Sequence, residues 1–211
     1  MAADYQRIEP SGHIVFDLEI ANAVEDVGGW DFTGEMGVAC AVVYEVKRDR
    51  YRIYDSSELE ELQACLDRAD RITSWNGWNF DLPVVYGVNR PDWEASVYPD
   101  RPGGKDNLPL RERSCDLLRC AYQAQGLDPD KRSPAHAGWK LTDVAEALGF
   151  GGKCEDGAMA PDMYKKGQWG KLMTYCLHDV KLTHLIENFG RKHGFLTNLR
   201  KKVVTFGRQG A

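Results

Sequence analysis

Between His13 and Ile20 the chain reads HIVFDLEI, an apolar and β-branched run that carries two acids. Such a run predicts a buried strand. Strand side chains alternate between faces, so Asp17 and Glu19 project the same way, with Leu18 on the opposite face. Two carboxylates within an apolar strand are costly unless a cation neutralises them. The competing reading is a strand at a solvent-facing edge, where both acids keep their water.

The rest of the chain supplies the partners for this strand. Gly37–Val46 reads as a second strand and Arg50–Tyr54 as a short third one, with a polar hairpin turn between them. Ser56 or Ser57 is a candidate cap for a helix to about Arg68, spaced by Leu59, Leu62 and Leu66. Ile72–Trp75 is a brief strand, Asn76-Gly77 a turn, and a helix runs from about Asp81 to Val88. Residues 89–113, rich in Pro, Gly and charge, read as a long surface loop. Ser114–Leu117 resumes as a strand that leads into a helix through Gln125. A loop over 126–138 precedes a helix at Lys140–Leu148, and the glycine-rich stretch 149–167 reads as irregular.

Trp169–His193 is the longest expected helix. Leu172, Met173, Cys176, Leu177, Val180, Leu182, Leu185 and Ile186 are assigned to its buried face. Gly190 is expected to end or bend it. Val203–Phe206 is an edge strand or part of a loose tail over 201–211. The order β-β-β-α-β-α-β-α-α predicts an α/β fold: a mixed sheet, with a three-stranded antiparallel meander plus parallel strands, covered by helices. Its 211 residues suit one domain over 1–211.

Composition narrows the function. No apolar run approaches the roughly 18 residues of a membrane span, and the N-terminus lacks a signal-peptide pattern. A soluble, cytoplasmic protein with no membrane partner is expected, as a monomer or small homo-oligomer. Six scattered cysteines without a C-x-x-C pair argue against a disulfide framework and a zinc site, and read as buried or half-buried small residues. The net charge of −5 argues against a protein that coats DNA without regard to sequence. It leaves room for an enzyme that holds a phosphodiester through metal ions.

Two further carboxylates stand out. Asp81 ends the run Ser74-Trp-Asn-Gly-Trp-Asn-Phe-Asp81, where it either caps the next helix or joins a site at the strand end. Tyr175 and Asp179 lie four apart and share one helix face. Asp is a poor mid-helix residue, although a solvated Asp beside a packed Tyr ring is the plain alternative. Asp17, Glu19, Asp81 and Asp179 together would give two hard cations the oxygen ligands they need. Two such ions about 4 Å apart activate a water and stabilise the leaving oxygen of a phosphodiester.

These runs resemble the DEDD 3′→5′ exonucleases, which have a ribonuclease-H-like fold. Asp17-Leu-Glu19 is similar to their first motif, Asn76-Gly-Trp-Asn-Phe-Asp81 to the second and Tyr175-Cys-Leu-His-Asp179 to the third. The wording YCLHDVKL and WNGWNFDLPVV is especially similar to the proofreading domain of family B DNA polymerases. Cys115-Asp-Leu-Leu118, Lys140–Ala145 and Leu148-Gly149 also match the family's habits. The resemblance spans Ile14 to Leu185 and implies a stand-alone exonuclease of the Tyr branch, since Tyr175 sits four before Asp179. His178 is then structural or exposed.

The resemblance implies that Asp17 bridges two Mg²⁺ or Mn²⁺ ions, Glu19 and Asp179 complete one site, and Asp81 holds the second ion through water. Tyr175 would orient the attacking water. Leu18, Asn76, Asn79 and Trp78 are the candidate substrate-binding residues, Asn76 slightly ahead of Asn79. Ile20 stands where many relatives have Thr. The implied partner is a single-stranded or frayed 3′ end, with DNA favoured over RNA. Trp75, Trp169 and Tyr164 are weaker candidates for the cleft, and Lys153, Lys165, Lys166 and Lys171 for phosphate contacts. The alternatives are a structure-specific endonuclease of the same fold and a catalytically inactive nucleic-acid-binding or interaction module.

Overall fold

The computed structural model describes residues 12–131, 134–152 and 159–206. Its strands and helices begin with β1 (His13–Ile20), α1 (Thr33–Met36), β2 (Val38–Glu45), β3 (Arg50–Asp55), α2 (Leu59–Arg68), β4 (Arg71–Ser74) and α3 (Asp81–Tyr86). They continue with β5 (Pro102–Gly103), β6 (Leu108–Pro109), α4 (Leu110–Arg113), β7 (Ser114–Asp116), α5 (Leu117–Ala124) and α6 (Leu141–Ala147). The chain then forms α7 (Ala160–Lys165), α8 (Trp169–His193), β8 (Phe195–Thr197) and β9 (Val203–Thr205).

Five strands form the main sheet in the order β3-β2-β1-β4-β7. β3, β2 and β1 pair antiparallel, whereas β4 and β7 run parallel to β1. This is the mixed sheet expected from the element order. β1 is therefore central, and the solvent-edge reading of its two acids is excluded.

The alternation along β1 divides the core. Ile14, Phe16, Leu18 and Ile20 pack with Leu62, Leu66, Leu82 and Trp93 on the α2–α3 side. Val15 faces the other way, with Ala39, Cys40, Val42 and the α8 residues Leu172, Cys176 and Val180. Every residue of β2 is buried, as expected for a strand covered on both faces. β4 pairs with β1 only at His13, Ile14 and Val15. Beyond Val15, β1 keeps β2 on one flank, and Asp17 and Glu19 lie in that half-paired stretch.

Several boundaries differ from expectation for local reasons. Neither Ser56 nor Ser57 caps α2; Asp55 accepts from the Ser57 N–H at 2.7 Å, and Glu58 folds back onto the Asp55 N–H at 3.1 Å. Residues 89–113 are not a bare loop: Trp93 and Leu110 enter the core. The buried Arg113 guanidinium donates to the carbonyls of Leu66 and Ala69 at 2.9 and 2.6 Å, anchoring this stretch to the end of α2. The helix α7 lies inside the stretch read as irregular and buries Ala160, Pro161 and Met163.

α8 does not end at Gly190. The Phe206 ring packs so closely there that a Cβ would sit 2.7 Å from it. The helix stops instead at Gly194, whose left-handed φ of 79° gives the usual glycine C-cap. Leu185, assigned to its buried face, is exposed. β9 pairs with β8 in a separate two-stranded sheet rather than at an edge of the main one. Cys40, Cys65, Cys115 and Cys176 are buried and Cys120 half-buried; Cys154 lies outside the described residues.

Candidate functional site

Three pieces of backbone meet at the half-paired end of β1. The first is β1 itself, which presents Asp17 and Glu19 towards α8. Contact is direct: the Cys176 thiol donates to the Asp17 carbonyl at 3.3 Å and lies 3.8 Å from its Oδ2. One ligand atom from each of Asp17, Glu19 and Cys176 falls within 4.8 Å of the others, close enough for one ion.

The second piece is the turn after β4. Asn76 adopts a left-handed φ of 67°, which Asn tolerates better than most residues. The Leu82 N–H donates to the Gly77 carbonyl at 2.8 Å and closes the turn. A Cβ on Gly77 would meet Ser74 Oγ at 2.2 Å and Asp81 Oδ2 at 3.2 Å, so only glycine fits. Asp81 is the first residue of α3, not its cap. Its carboxylate accepts from its own N–H and from the N–H of Leu18, which ties the turn to β1.

The third piece is α8, where the Tyr175 hydroxyl donates to the Asp179 carboxylate. Asp17, Glu19, Asp81, Tyr175 and Asp179 all line one cavity of about 870 Å³. The five residues singled out in the sequence thus come together, although they span more than 160 positions.

The electrostatics are those of a site short of positive charge. Burial, and then the charges of Asp81, Asp179 and Glu19, push the Asp17 carboxyl well above its ordinary range. Glu19 is raised by burial and by Asp179, and Asp81 by burial and by Asp116. Burial lifts Asp179 to about 6 against the opposing bond from Tyr175. Tyr175 itself is raised by burial and the neighbouring acids, which makes it a poor base and leaves it a hydrogen-bond donor. Carboxylates that suppress one another's ionisation are stabilised together by a cation, and an oxygen-rich donor set suits Mg²⁺ or Mn²⁺. The residues fit divalent ions.

The substrate-binding candidates divide. Asn76 lines the cavity. Asn79 also reaches it, but its amide donates to the Pro129 carbonyl at 2.9 Å, a bond that ties down the 127–131 loop. Trp78 is turned into the core, where its Nε1 donates to Glu94 at 2.6 Å and its ring meets Trp93 edge-on. It offers no face for a base. Leu18 lines the cavity and is otherwise buried, packed in the core on the α2–α3 side.

The weaker candidates divide as well. Trp75 lines the cavity while buried, whereas Tyr164 and Trp169 pack on each other away from it. Lys165 and Lys166 pair with Asp26 and Asp162, Lys171 is exposed, and Lys153 lies outside the described residues. His178 is half-buried and does not line the cavity.

Other lining residues were not singled out from the sequence. Trp30 and Phe80, 5.9 Å apart, stand at the cavity with Trp30 still 45% exposed. Arg90, Arg119, Lys131 and Lys140 are the basic residues of its wall, with Arg119 paired to Asp130. An aromatic after two glycines (Gly28-Gly29-Trp30) was the available signal for Trp30. Asp116, part of the Cys115–Leu118 match but given no role there, is a buried carboxyl behind the turn, raised by its burial.

Among the described residues no helix is long and apolar enough to cross a membrane. No curated protein gives a significant match to this sequence. A structure of the family B DNA polymerase from the hyperthermophilic archaeon Pyrobaculum calidifontis is similar to the chain with a TM-score of 0.57 and 18% identity. The match covers 84% of this chain and 24% of the polymerase, so the chain corresponds to about a quarter of that protein's length. The likeness is one of fold. Residues 38–200 match the family described as predicted 3′-5′ exonuclease related to the exonuclease domain of PolB. That range holds Asp81, Tyr175 and Asp179 but begins after Asp17 and Glu19, which the sheet then delivers to the same cavity. The chain belongs to this family of predicted PolB-related 3′–5′ exonucleases.

Proposed function

We propose that the chain is a metal-dependent 3′→5′ exonuclease of the Tyr branch, acting on single-stranded or frayed 3′ ends with DNA favoured over RNA. The observation that carries this reading is the convergence on one cavity of Tyr175 and four carboxylates, each raised by burial and three of them also by neighbouring acids. Asp17, Glu19 and Asp179 would hold one divalent ion, and Asp81 with Asp17 a second. Bound Mg²⁺ or Mn²⁺ supplies charge against the phosphate and acidity to a water nucleophile.

The chain's own groups do the rest. The Tyr175 hydroxyl orients the attacking water while its bond to Asp179 holds it in place. Asn76 and the backbone beside Leu18 face the terminal nucleotide, and Trp30 and Phe80 give ring faces to unpaired bases. Arg90, Arg119, Lys131 and Lys140 meet the phosphates that follow. A chain with a negative total charge then still offers a positive approach to an anionic strand.

The test is degradation of matched, 5′-labelled DNA and RNA oligonucleotides, single- and double-stranded, with Mg²⁺, Mn²⁺ or a chelator. Stepwise ladders from the 3′ end of single strands, lost with the chelator, are expected. Internal cuts would replace this reading with a structure-specific endonuclease, and inert protein would replace it with a binding module.

A further inference from the structure

The carboxyl group of Asp116 sits behind the turn that carries Asn76 and Asp81, and it faces backbone rather than substrate. Its Oδ1 accepts from the N–H groups of Asn76, Leu118 and Arg119 at 3.0, 2.9 and 3.2 Å. Its Oδ2 accepts from the Trp78 N–H at 3.1 Å. The Leu118 and Arg119 bonds are ordinary capping of α5, and they account for an Asp at the end of β7. The Asn76 and Trp78 bonds are of another kind, because they cross 40 and 38 positions of sequence.

Those two bonds hold the main chain at Asn76 and Trp78, whereas the other ties of the turn run through the Trp78 and Asn79 side chains and the Gly77 carbonyl. Asn76 is left-handed, and Gly77 between the two bonded residues has no side chain to lodge anywhere. The segment from Asn76 to Asp81 has no strand partner, since β4 ends at Ser74. A buried carboxylate that accepts several N–H groups fixes their positions strongly, because each such bond is worth more than a neutral one. From this the geometry points to Asp116 as a positioning residue for the reaction. Through the Asn76 and Trp78 amides it sets where Asp81 and Asn76 stand in the cavity.

The assignment rests on the exonuclease reading for its functional consequence, and Asp116→Asn separates the two duties of the side chain. The Asn carbonyl keeps the place of Oδ1 and its three donors, because the reverse orientation would strand all three. The new amide then faces the Trp78 N–H, donor against donor. Capping and the Asn76 bond survive, and the Trp78 half of the clamp is broken.

Four quantities are read on the full chain: hydrogen exchange at individual amides, Mn²⁺ affinity, thermal stability, and kcat with KM on a single-stranded DNA oligonucleotide. The Trp78 amide should exchange about tenfold faster or more, the worth of one bond to a carboxylate, with Leu118 still protected. Mn²⁺ binding should weaken by about tenfold, as when support behind a metal ligand is removed. The kcat should fall by about ten- to a hundredfold while KM moves by less than about threefold.

A Trp78 amide that opens while kcat and Mn²⁺ affinity stay at wild-type values overturns the assignment. Loss of the fold in the Asn variant overturns it as well, by making Asp116 a general scaffold residue. If the wild-type chain degrades no oligonucleotide, the exonuclease reading fails by itself. Mn²⁺ affinity then decides for Asp116: the tenfold weakening sustains its positioning role and an unchanged affinity ends it.

Discussion

The two ends of the contact between β1 and α8 carry buried acid in opposite company. At one end Asp17, Glu19 and Asp179 meet Asp81, and each is raised by burial, with neighbouring acids adding to the strain on all but Asp179. At the other end Glu187, fully buried, lies 3.2 Å from His13, 3.1 Å from Arg71 and 3.0 Å from Arg191. Burial alone would raise Glu187, but the bond from His13 and the charges of His13, Arg71 and Arg191 bring it to about 2. One helix and one strand thus hold a carboxylate that the protein has neutralised and a group that it has not. The difference singles out the end at which the proposed ions would bind. It also shows why a buried acid is informative only with its partners in view.

The largest test of this contrast is Asp17→Ala. Losing a ligand common to both proposed ions removes several kcal/mol of transition-state stabilisation, so activity should fall by about a thousandfold or more. Full activity in that variant would dissolve the site. Gly77→Ala comes next, because the added methyl is driven into Ser74 and against Asp81. A drop of about a hundredfold in kcat is expected from the displaced carboxylate, with little change in stability away from the turn.

Glu187→Gln addresses the other end. Breaking a buried pair costs about 3–5 kcal/mol, and the partial exposure of its three partners reduces this to about 2 kcal/mol in denaturant unfolding. The kcat of the folded fraction should hold, and a variant that is stable but inactive would erase the distinction between the ends. Tyr175→Phe removes one hydrogen bond and should slow turnover by about tenfold with Mn²⁺ affinity retained, which calorimetry would check.

The smallest effect is a pH dependence. A carboxyl whose folded-state pKa is raised stabilises the fold while protonated, and loses that contribution as pH rises through the folded value, about 6 for Asp179. Melting with a chelator present should therefore fall by about 3 °C between about pH 5 and pH 8. Saturating Mn²⁺ should stabilise more at the upper pH. Glu187 does not mask this, because its lowered pKa is lost only as pH falls towards about 2. A melting temperature that rises with pH under chelation would mean that the acids at the cavity are already compensated.

Much of the cavity end was legible because its logic is local. The alternation in HIVFDLEI put two acids on one face, and the four-residue spacing of Tyr175 and Asp179 put both on another. The bounds of β1 and α8 followed from long apolar patterns. What escaped depends on distant partners. Nothing around Trp78 says that Glu94 and Trp93 will hold it inside, and nothing around Arg113 says that it will serve carbonyls at the end of α2. Asp116 has the same character, since only the fold brings it to the amides of Asn76 and Trp78. The helix α7 was hidden because six residues with a proline among glycines leave too few turns for a period to register.

The seating of Phe206 on Gly190 has a mechanical consequence. A helix is a shaft, and each residue of slip along it turns every side chain by about 100°. The ring pressed onto a bare glycine works as the key in that shaft, about 16 Å along the axis from Asp179. The rotational phase of α8, and with it the aim of Tyr175 and Asp179 into the cavity, is thus fixed partly from the C-terminal hairpin. Residues remote from the cavity hold the angle at which α8 presents its side chains to it.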